Sequence, residues 1–329
     1  MALLETVVLL LAFVALLAVV ARRVGIPYPI LMVLGGLVIG LVPGLPRVEL
    51  EPDVVLLLFL PPILYSAAYL SSPRELWRNR RPISLLAFGL VLTTTLAVAF
   101  VITALVPGFP FPAAVALGAI VSPPDALAAT SIAQRLGLPR RLVTVLEGES
   151  LVNDATALVT YRFAVAATLS GTFSIGEAAV TFATVAVGGV LIGLAVGWTV
   201  TFILARLDDP PVGVLVSLLA PFAAFLPAEA LHVSGVLAAV TAGLFHGWRA
   251  PRTMSSRTRV QGFGTWQTTI FVVNGLAFLL IGLQLPQVID NVAGYDPGRL
   301  AVLAIAVSST VILVRLAWVF PATYVPRWI

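Results

Sequence analysis

The sequence contains no cysteine and no lysine, and only 10% of its 329 residues are charged. Without cysteine there is neither a disulfide framework nor a thiolate metal centre. Two histidines, His232 and His246, are too few for most metal clusters. Without lysine the net charge of +4 is carried by arginine. The nucleotide loop G-x-x-x-x-G-K-[ST] is absent, which speaks against ATP-driven pumping. The scarcity of charge excludes most. A soluble domain keeps roughly a quarter of its residues charged, whereas this chain is 60% hydrophobic with a mean hydropathy of +1.06. It could not cover its own surface in water, so its apolar runs must face lipid.

What is present is a series of long apolar runs. A membrane-spanning helix needs about 20 apolar residues, and eleven such runs are found near 3–20, 27–42, 53–70, 83–106, 112–133, 142–168, 174–204, 211–227, 232–247, 263–285 and 299–320. The first is followed by Arg22-Arg23 rather than by a small-residue cleavage site, and reads as a retained span. The expected fold is therefore an all-α polytopic membrane protein. Loops after odd-numbered runs hold fourteen arginines (22, 23, 74, 78, 80, 81, 135, 140, 141, 206, 249, 252, 257 and 259), while those after even-numbered runs hold only Arg47 and Arg299. By the positive-inside rule the N-terminus lies outside and the C-terminal end of the chain inside. Arginines scattered in this way mark topology, so the pI of about 10.0 does not imply a nucleic-acid partner.

Asp125, Glu147, Glu149, Asp154, Arg162, Arg315 and, at a margin, Glu229 fall within the spans. A charge at the bilayer centre costs at least ~2.5 kcal/mol, and such residues usually line an ion path or pair with one another. At ~1.5 Å per residue, Asp125 lies roughly 20 Å in from the outer face and Asp154 roughly 18 Å in from the inner face. Both then sit near the midplane of a core about 30 Å thick. Ser122-Pro123-Pro124-Asp125 should unwind the fifth span just before its acid, because proline lacks an amide hydrogen and clashes with the preceding turn. Carbonyls freed there can coordinate a cation, a recurring device of secondary transporters. A plain proline kink is the simpler alternative.

The sixth span carries Glu149-Ser150-Leu151-Val152-Asn153-Asp154. Glu149 and Asn153 share one helix face, as do Ser150 and Asp154. Asn153 offers a neutral carbonyl oxygen beside the Asp154 carboxylate, and hard oxygen ligands suit Na+. A carboxylate kept from bulk water gives a proton and a cation one group to compete for. Glu149 and Arg315 fall at similar depth on the sixth and eleventh spans and are expected to form a buried ion pair; Arg315 snorkelling to the inner surface is the alternative. Arg162 is left with two readings, a partner acid that the sequence does not identify or a water-filled vestibule. His246, beside Gly247-Trp248-Arg249, reads as an interfacial histidine, and His232 likewise. The six tryptophans fit interfacial belts. Gly188, Gly189, Gly193 and Gly197 suggest close helix packing.

These residues resemble the cation:proton antiporter-1 family of sodium/proton exchangers. Glu149 to Asp154 is similar to that family's sixth-helix signature, and Ser122-Pro123-Pro124-Asp125 to its unwound fifth helix. Phe59-Leu60-Pro61-Pro62-Ile63-Leu64 resembles the third helix, Gly25-Ile26-Pro27 with Leu34-Gly35-Gly36 the second, and Asn274 to Leu285 the tenth. The resemblance implies electroneutral exchange of one Na+ (or Li+) for one H+, serving pH and sodium homeostasis, with no cofactor. It implies that Asp154 and Asp125 hold the ion with help from Asn153 and Ser150, that Glu149 pairs with Arg315, and that the protein is a homodimer whose core moves against a scaffold. Where many bacterial members have threonine this chain has Pro124, which removes a hydroxyl ligand. The family has thirteen spans in two inverted repeats. The chain is therefore expected to be a single domain, 1–329, lacking its last two helices, with a first repeat over about 1–170, a linker helix over 174–204 and a partial second repeat over 211–329.

Three other readings stand beside exchange. Asp125 and Asp154 could activate water in an intramembrane aspartyl protease, although Asn153, the double proline and the Glu149–Arg315 pair have no part in that chemistry. The spans could form a channel, or a truncated product that does not transport.

Overall fold

The computed structural model describes residues 2–42, 52–124, 129, 132–133, 136–170, 175–207 and 209–328. Asp125 lies outside the described residues. Among those described, every regular element is helical. The chain runs α1 (Ala2–Val24), α2 (Tyr28–Gly40), α3 (Pro52–Leu70), the short α4 (Pro73–Arg78), α5 (Arg80–Leu105), α6 (Phe111–Val121), α7 (Arg140–Ser170), α8 (Ile175–Leu204), α9 (Pro210–Ala230), α10 (Gly235–Thr253), α11 (Ser256–Asn291) and α12 (Pro297–Trp328).

Six of these contain a segment long and apolar enough to cross a membrane: α1, α5, α8, α9, α11 and α12. Three shorter apolar helices, Tyr28–Gly40, Val54–Leu70 and Phe111–Val121, accompany them. α7 reads less apolar because it carries Glu147, Glu149, Asp154 and Arg162 along one helix. The molecule is thus a multi-pass membrane protein.

Local chemistry sets the helix ends. α1 stops at Gly25, whose φ of 77° is open to a residue without a side chain. Pro27 then caps α2 at φ −55° and ψ 130°, with Pro29 in its first turn. Asp209 caps α9 by accepting from the Val212 amide at 3.3 Å, Ser234 caps α10 through Leu237 at 3.2 Å, and Ser255 caps α11 through Thr258 at 3.1 Å.

Several boundaries differ from the apolar runs. α11 begins seven residues before the expected 263, because the Ser255 cap starts the helix in polar sequence. Arg257 and Arg259 therefore stand on its first turns rather than in a loop. Pro286 does not end it. α10 begins at Gly235 rather than 232, since His232 sits in a turn at φ 57°. α5 contains a π-helical stretch, Leu85–Leu90.

The helices pack in two groups. α5, α6, α7 and α12 contact one another closely, with Val98, Ala99, Ile102 and Ala114 at their core. α1, α2, α3, α8, α9, α10 and α11 make the second. In that group small residues bring backbones together. Gly36 lies against the Leu279 carbonyl and Gly282 against that of Val33, so α2 and α11 cross without a side chain between them. Gly189 and Gly193 do the same for α8 against Ser234 and Ala238 of α10.

The α2–α11 crossing yields a directional test. Gly282→Ala places a methyl against backbone that cannot move aside, and overpacking of this kind costs about 1–3 kcal/mol. At Gly264, on the same helix, an added methyl would meet nothing within 4 Å. Thermal melting in detergent should fall for Gly282→Ala and hold or rise for Gly264→Ala.

Candidate functional site

α7 is the helix on which the polar groups converge. Asn153 is fully buried at 0% exposure, Asp154 and Ser150 are half-buried, and Glu149 is 1% exposed. Neither the oxygen nor the nitrogen of the Asn153 amide has a hydrogen-bond partner among the described residues. A buried amide left in that condition costs roughly 1–3 kcal/mol, and most such groups in proteins are matched. Asn153 therefore offers a dry carbonyl oxygen one residue before Asp154.

The neighbouring α6 ends beside α7 in mid-run. Its last helical residue is Val121, with Ser122 as the C-cap and a bend at Ser122-Pro123, and Pro124 lies outside any helix. The Ser122 hydroxyl donates to the Ala119 carbonyl at 3.3 Å and accepts from Thr95 Oγ1 at 3.3 Å. Thr95 and Thr94 are 0% and 2% exposed. Gly118 lets the α6 backbone lie on α5 at Thr95. α5 thus fixes the end of α6. Thr94 and Thr95 were missed in the sequence, where the only signal was the run Thr93-Thr94-Thr95 inside an apolar span. Thr156 and Thr160 bond their own helix, to the Val152 carbonyl at 3.0 Å and the Thr156 carbonyl at 2.7 Å, and supply nothing across the site.

Arg315 of α12 donates through Nη2 to both oxygens of Glu149, at 2.8 and 2.9 Å. The arginine is 31% exposed and the glutamate 1%. This joins α7 to α12 within one helix group. Trp318, one turn further along α12, donates from its indole to the Leu85 carbonyl at 3.2 Å and lies on Gly89, so α12 also grips the π-helical stretch of α5.

Arg162 has the partner that the sequence left unidentified. Its Nη2 donates to both oxygens of Glu229 at 3.1 and 2.9 Å. Glu229 Oε1 also accepts from the Gly235 amide at 3.1 Å, at the first turn of α10.

The interfacial reading of His246 is overturned. It is 0% exposed, with Nδ1 2.6 Å from the Tyr65 hydroxyl and Nε2 3.4 Å from Met254 Sδ. Gly243 and Gly247 carry α10 so close to α3, at the Tyr65 and Tyr69 carbonyls, that the intervening ring is enclosed. Trp266 does not belong to a belt either. It is fully buried, stacks on Tyr65 at 5.5 Å, and donates to Ser217 Oγ at 2.8 Å. Trp77 and Trp248, at 70% and 51% exposure, remain on the surface, and His232 is exposed in its turn.

A family model described as "Sodium/hydrogen exchanger, transmembrane" matches residues 9–328. An uncharacterised Na+/H+ exchanger of Mycobacterium tuberculosis (strain H37Rv) is 42% identical over 324 residues, which covers 97% of this chain and 59% of that protein. A sodium, potassium, lithium and rubidium/H+ antiporter of Bacillus subtilis is 34% identical over 324 residues, covering 95% of this chain and 48% of its own. The chain thus spans about half to three-fifths of the length of these relatives. Among solved structures, the sodium proton antiporter MjNhaP1 of Methanocaldococcus jannaschii at pH 8 superposes with a TM-score of 0.72 at 22% identity, over 97% of this chain and 77% of that one. Its fold is shared.

The Glu149–Arg315 geometry has a measurable consequence. Arg315→Ala leaves a buried carboxylate without its counter-charge, and breaking a pair of this kind costs about 3–5 kcal/mol. Its melting temperature should fall well below that of Arg23→Ala, which removes an exposed arginine.

Proposed function

The chain belongs to the transmembrane sodium/hydrogen exchanger family, and from that premise we propose that it exchanges a monovalent cation for protons across the cell membrane, with Asp154 as the group for which the two ions compete. The single observation that carries this reading is Asn153, whose amide is buried and unmatched among the described residues next to Asp154. An apolar core has no use for such a group, whereas a dehydrated alkali cation needs neutral and anionic oxygens together. Ser150, on the Asp154 face of α7, supplies a further hydroxyl. The carbonyls released where α6 stops at Ser122-Pro123 add backbone oxygens. Asp125 follows directly in sequence and is proposed as the second carboxylate.

Competition gives exchange without further parts. When the site holds a proton the carboxyl is neutral and crosses as such. When it holds Na+ the carboxylate and the cation cancel. Either loaded form carries the same charge, whatever Asp125 adds, and the empty ionised form carries one negative charge more, which lipid disfavours. One cation for one proton, hence electroneutral exchange, is the stoichiometry such a site favours. The Bacillus subtilis relative is named for sodium, potassium, lithium and rubidium as well as H+, and the Mycobacterium tuberculosis relative for Na+ and H+; Na+ and Li+ are proposed as the ions carried here. The arrangement proposed with it places the N-terminus outside and Trp328 inside, with a first repeat over about 1–170, a linker over 174–204 and a second repeat from 211, in a homodimer.

Proteoliposomes holding a pH gradient decide the point. Na+ or Li+ added to the wild-type protein should dissipate the gradient in a saturable manner. Asp154→Asn should abolish the response with melting unchanged, and Asn153→Ala should weaken cation binding at least tenfold, a loss of about 1.4 kcal/mol. Dissipation by the Asp154→Asn protein would remove that residue from the site, and no response of the wild type to Na+, Li+ or K+ would end the exchange reading.

A further inference from the structure

α7 carries two arginine–glutamate pairs, and their settings differ. Glu149–Arg315 lies within one helix group, and its carboxylate is 1% exposed. Arg162–Glu229 joins α7 to α9, across the boundary between the two groups, and its side chains are 45% and 31% exposed. The boundary itself is apolar. Leu151, Val152 and Leu158 of α7 face Leu64 and Ala68 of α3, Phe225 of α9, and Val236 and Val240 of α10. Apolar seams have no directional bonds to break when one face slides on the other. The ion pair stands at one end of this seam, where α9 ends and α10 begins.

The pair is built to open. Glu229 does not depend on Arg162, because the Gly235 amide also reaches Oε1 at 3.1 Å and the N-terminus of α10 favours a negative charge. Arg162 is exposed enough to be hydrated once released. Neither partner is stranded, in contrast to Glu149, which would be a buried anion without Arg315. A carrier that presents one site alternately to two sides must have a contact that holds one access closed and gives way in the other state. We propose that Arg162 and Glu229 are that contact: a latch that closes the outer side of the seam above Asp154 and separates when the site opens outward. The latch rests on the exchange reading for its purpose, while its geometry stands without it.

The absence of cysteine makes the test clean. Leu158→Cys puts one thiol on the seam, four residues from Arg162 and on the same face. Labelling by an impermeant thiol reagent from the outer face should quicken several-fold when Arg162→Gln or Glu229→Gln is added. The double reversal Arg162→Glu with Glu229→Arg should return it toward the parent rate, which a loss of packing alone would not allow. Separately, Arg162→Cys with Glu229→Cys, bridged by a bifunctional methanethiosulfonate that joins each thiol through a disulfide, should stop exchange in proteoliposomes, and reduction should restore it. Unchanged labelling in the single variants, or exchange that continues in the bridged protein, overturns the latch. Should the single variants fail to fold, the bridged protein decides alone. Failure of the wild type to exchange any alkali cation would instead defeat the transport reading, and the labelling arm would still judge the latch.

Discussion

A charge placed among apolar helices must find its match inside the protein, because lipid offers none. This chain concentrates that obligation on α7, which carries Glu147, Glu149, Asp154 and Arg162. Much of the rest follows from how each is met. Glu149 draws in α12, Arg162 draws in α9, and Asn153 beside Asp154 stays without a hydrogen-bond partner among the described residues. The unmatched amide is the informative one, since a structural role would have supplied it with a partner.

The two helix groups differ in how they cohere. The larger one is drawn together by close backbone contact at Gly36, Gly189, Gly193, Gly243, Gly247 and Gly282, and by the enclosed Tyr65–His246–Trp266 cluster. The smaller one is joined by interlocked polar contacts, Thr95 with Ser122, Arg315 with Glu149, and Trp318 with Leu85. Between them runs the leucine and valine face of α3, α7, α9 and α10. Two packed helix groups meeting at an apolar seam are what the proposed transport cycle needs.

The long apolar helices α1, α5, α8, α9, α11 and α12 were legible because the requirement of about 20 apolar residues is written directly in composition. The encounter of Glu149 with Arg315 was also legible, since depth in a membrane is a one-dimensional quantity that counting along a helix gives. Lateral neighbours are not one-dimensional. Glu229 stood near a span end, and no count could say that α9 would bring it beside Arg162. His246 and Trp266 looked interfacial for the same reason, as counting placed them near a membrane surface but could not show the helices that cover them. The extra turns at the start of α11 escaped because capping by Ser255 extends the helix into polar sequence, where apolar runs give no signal. Thr95 was visible only as part of a polar interruption, and the approach of α6 at Gly118 gives it a role.

The π-helical stretch of α5 has a consequence of its own. Such a stretch accommodates one residue more than the surrounding helix would, and each residue of an α-helix turns the chain by about 100°. Tightening Leu85–Leu90 to ordinary α winding with every residue kept would swing Arg80–Ser84 around the axis relative to Val91–Leu105. The carbonyl that Trp318 grips and the threonine that steadies Ser122 could then no longer serve both neighbours at once. The extra residue acts as a clutch in the helix, setting the phase between the face turned to α12 and the face turned to the end of α6.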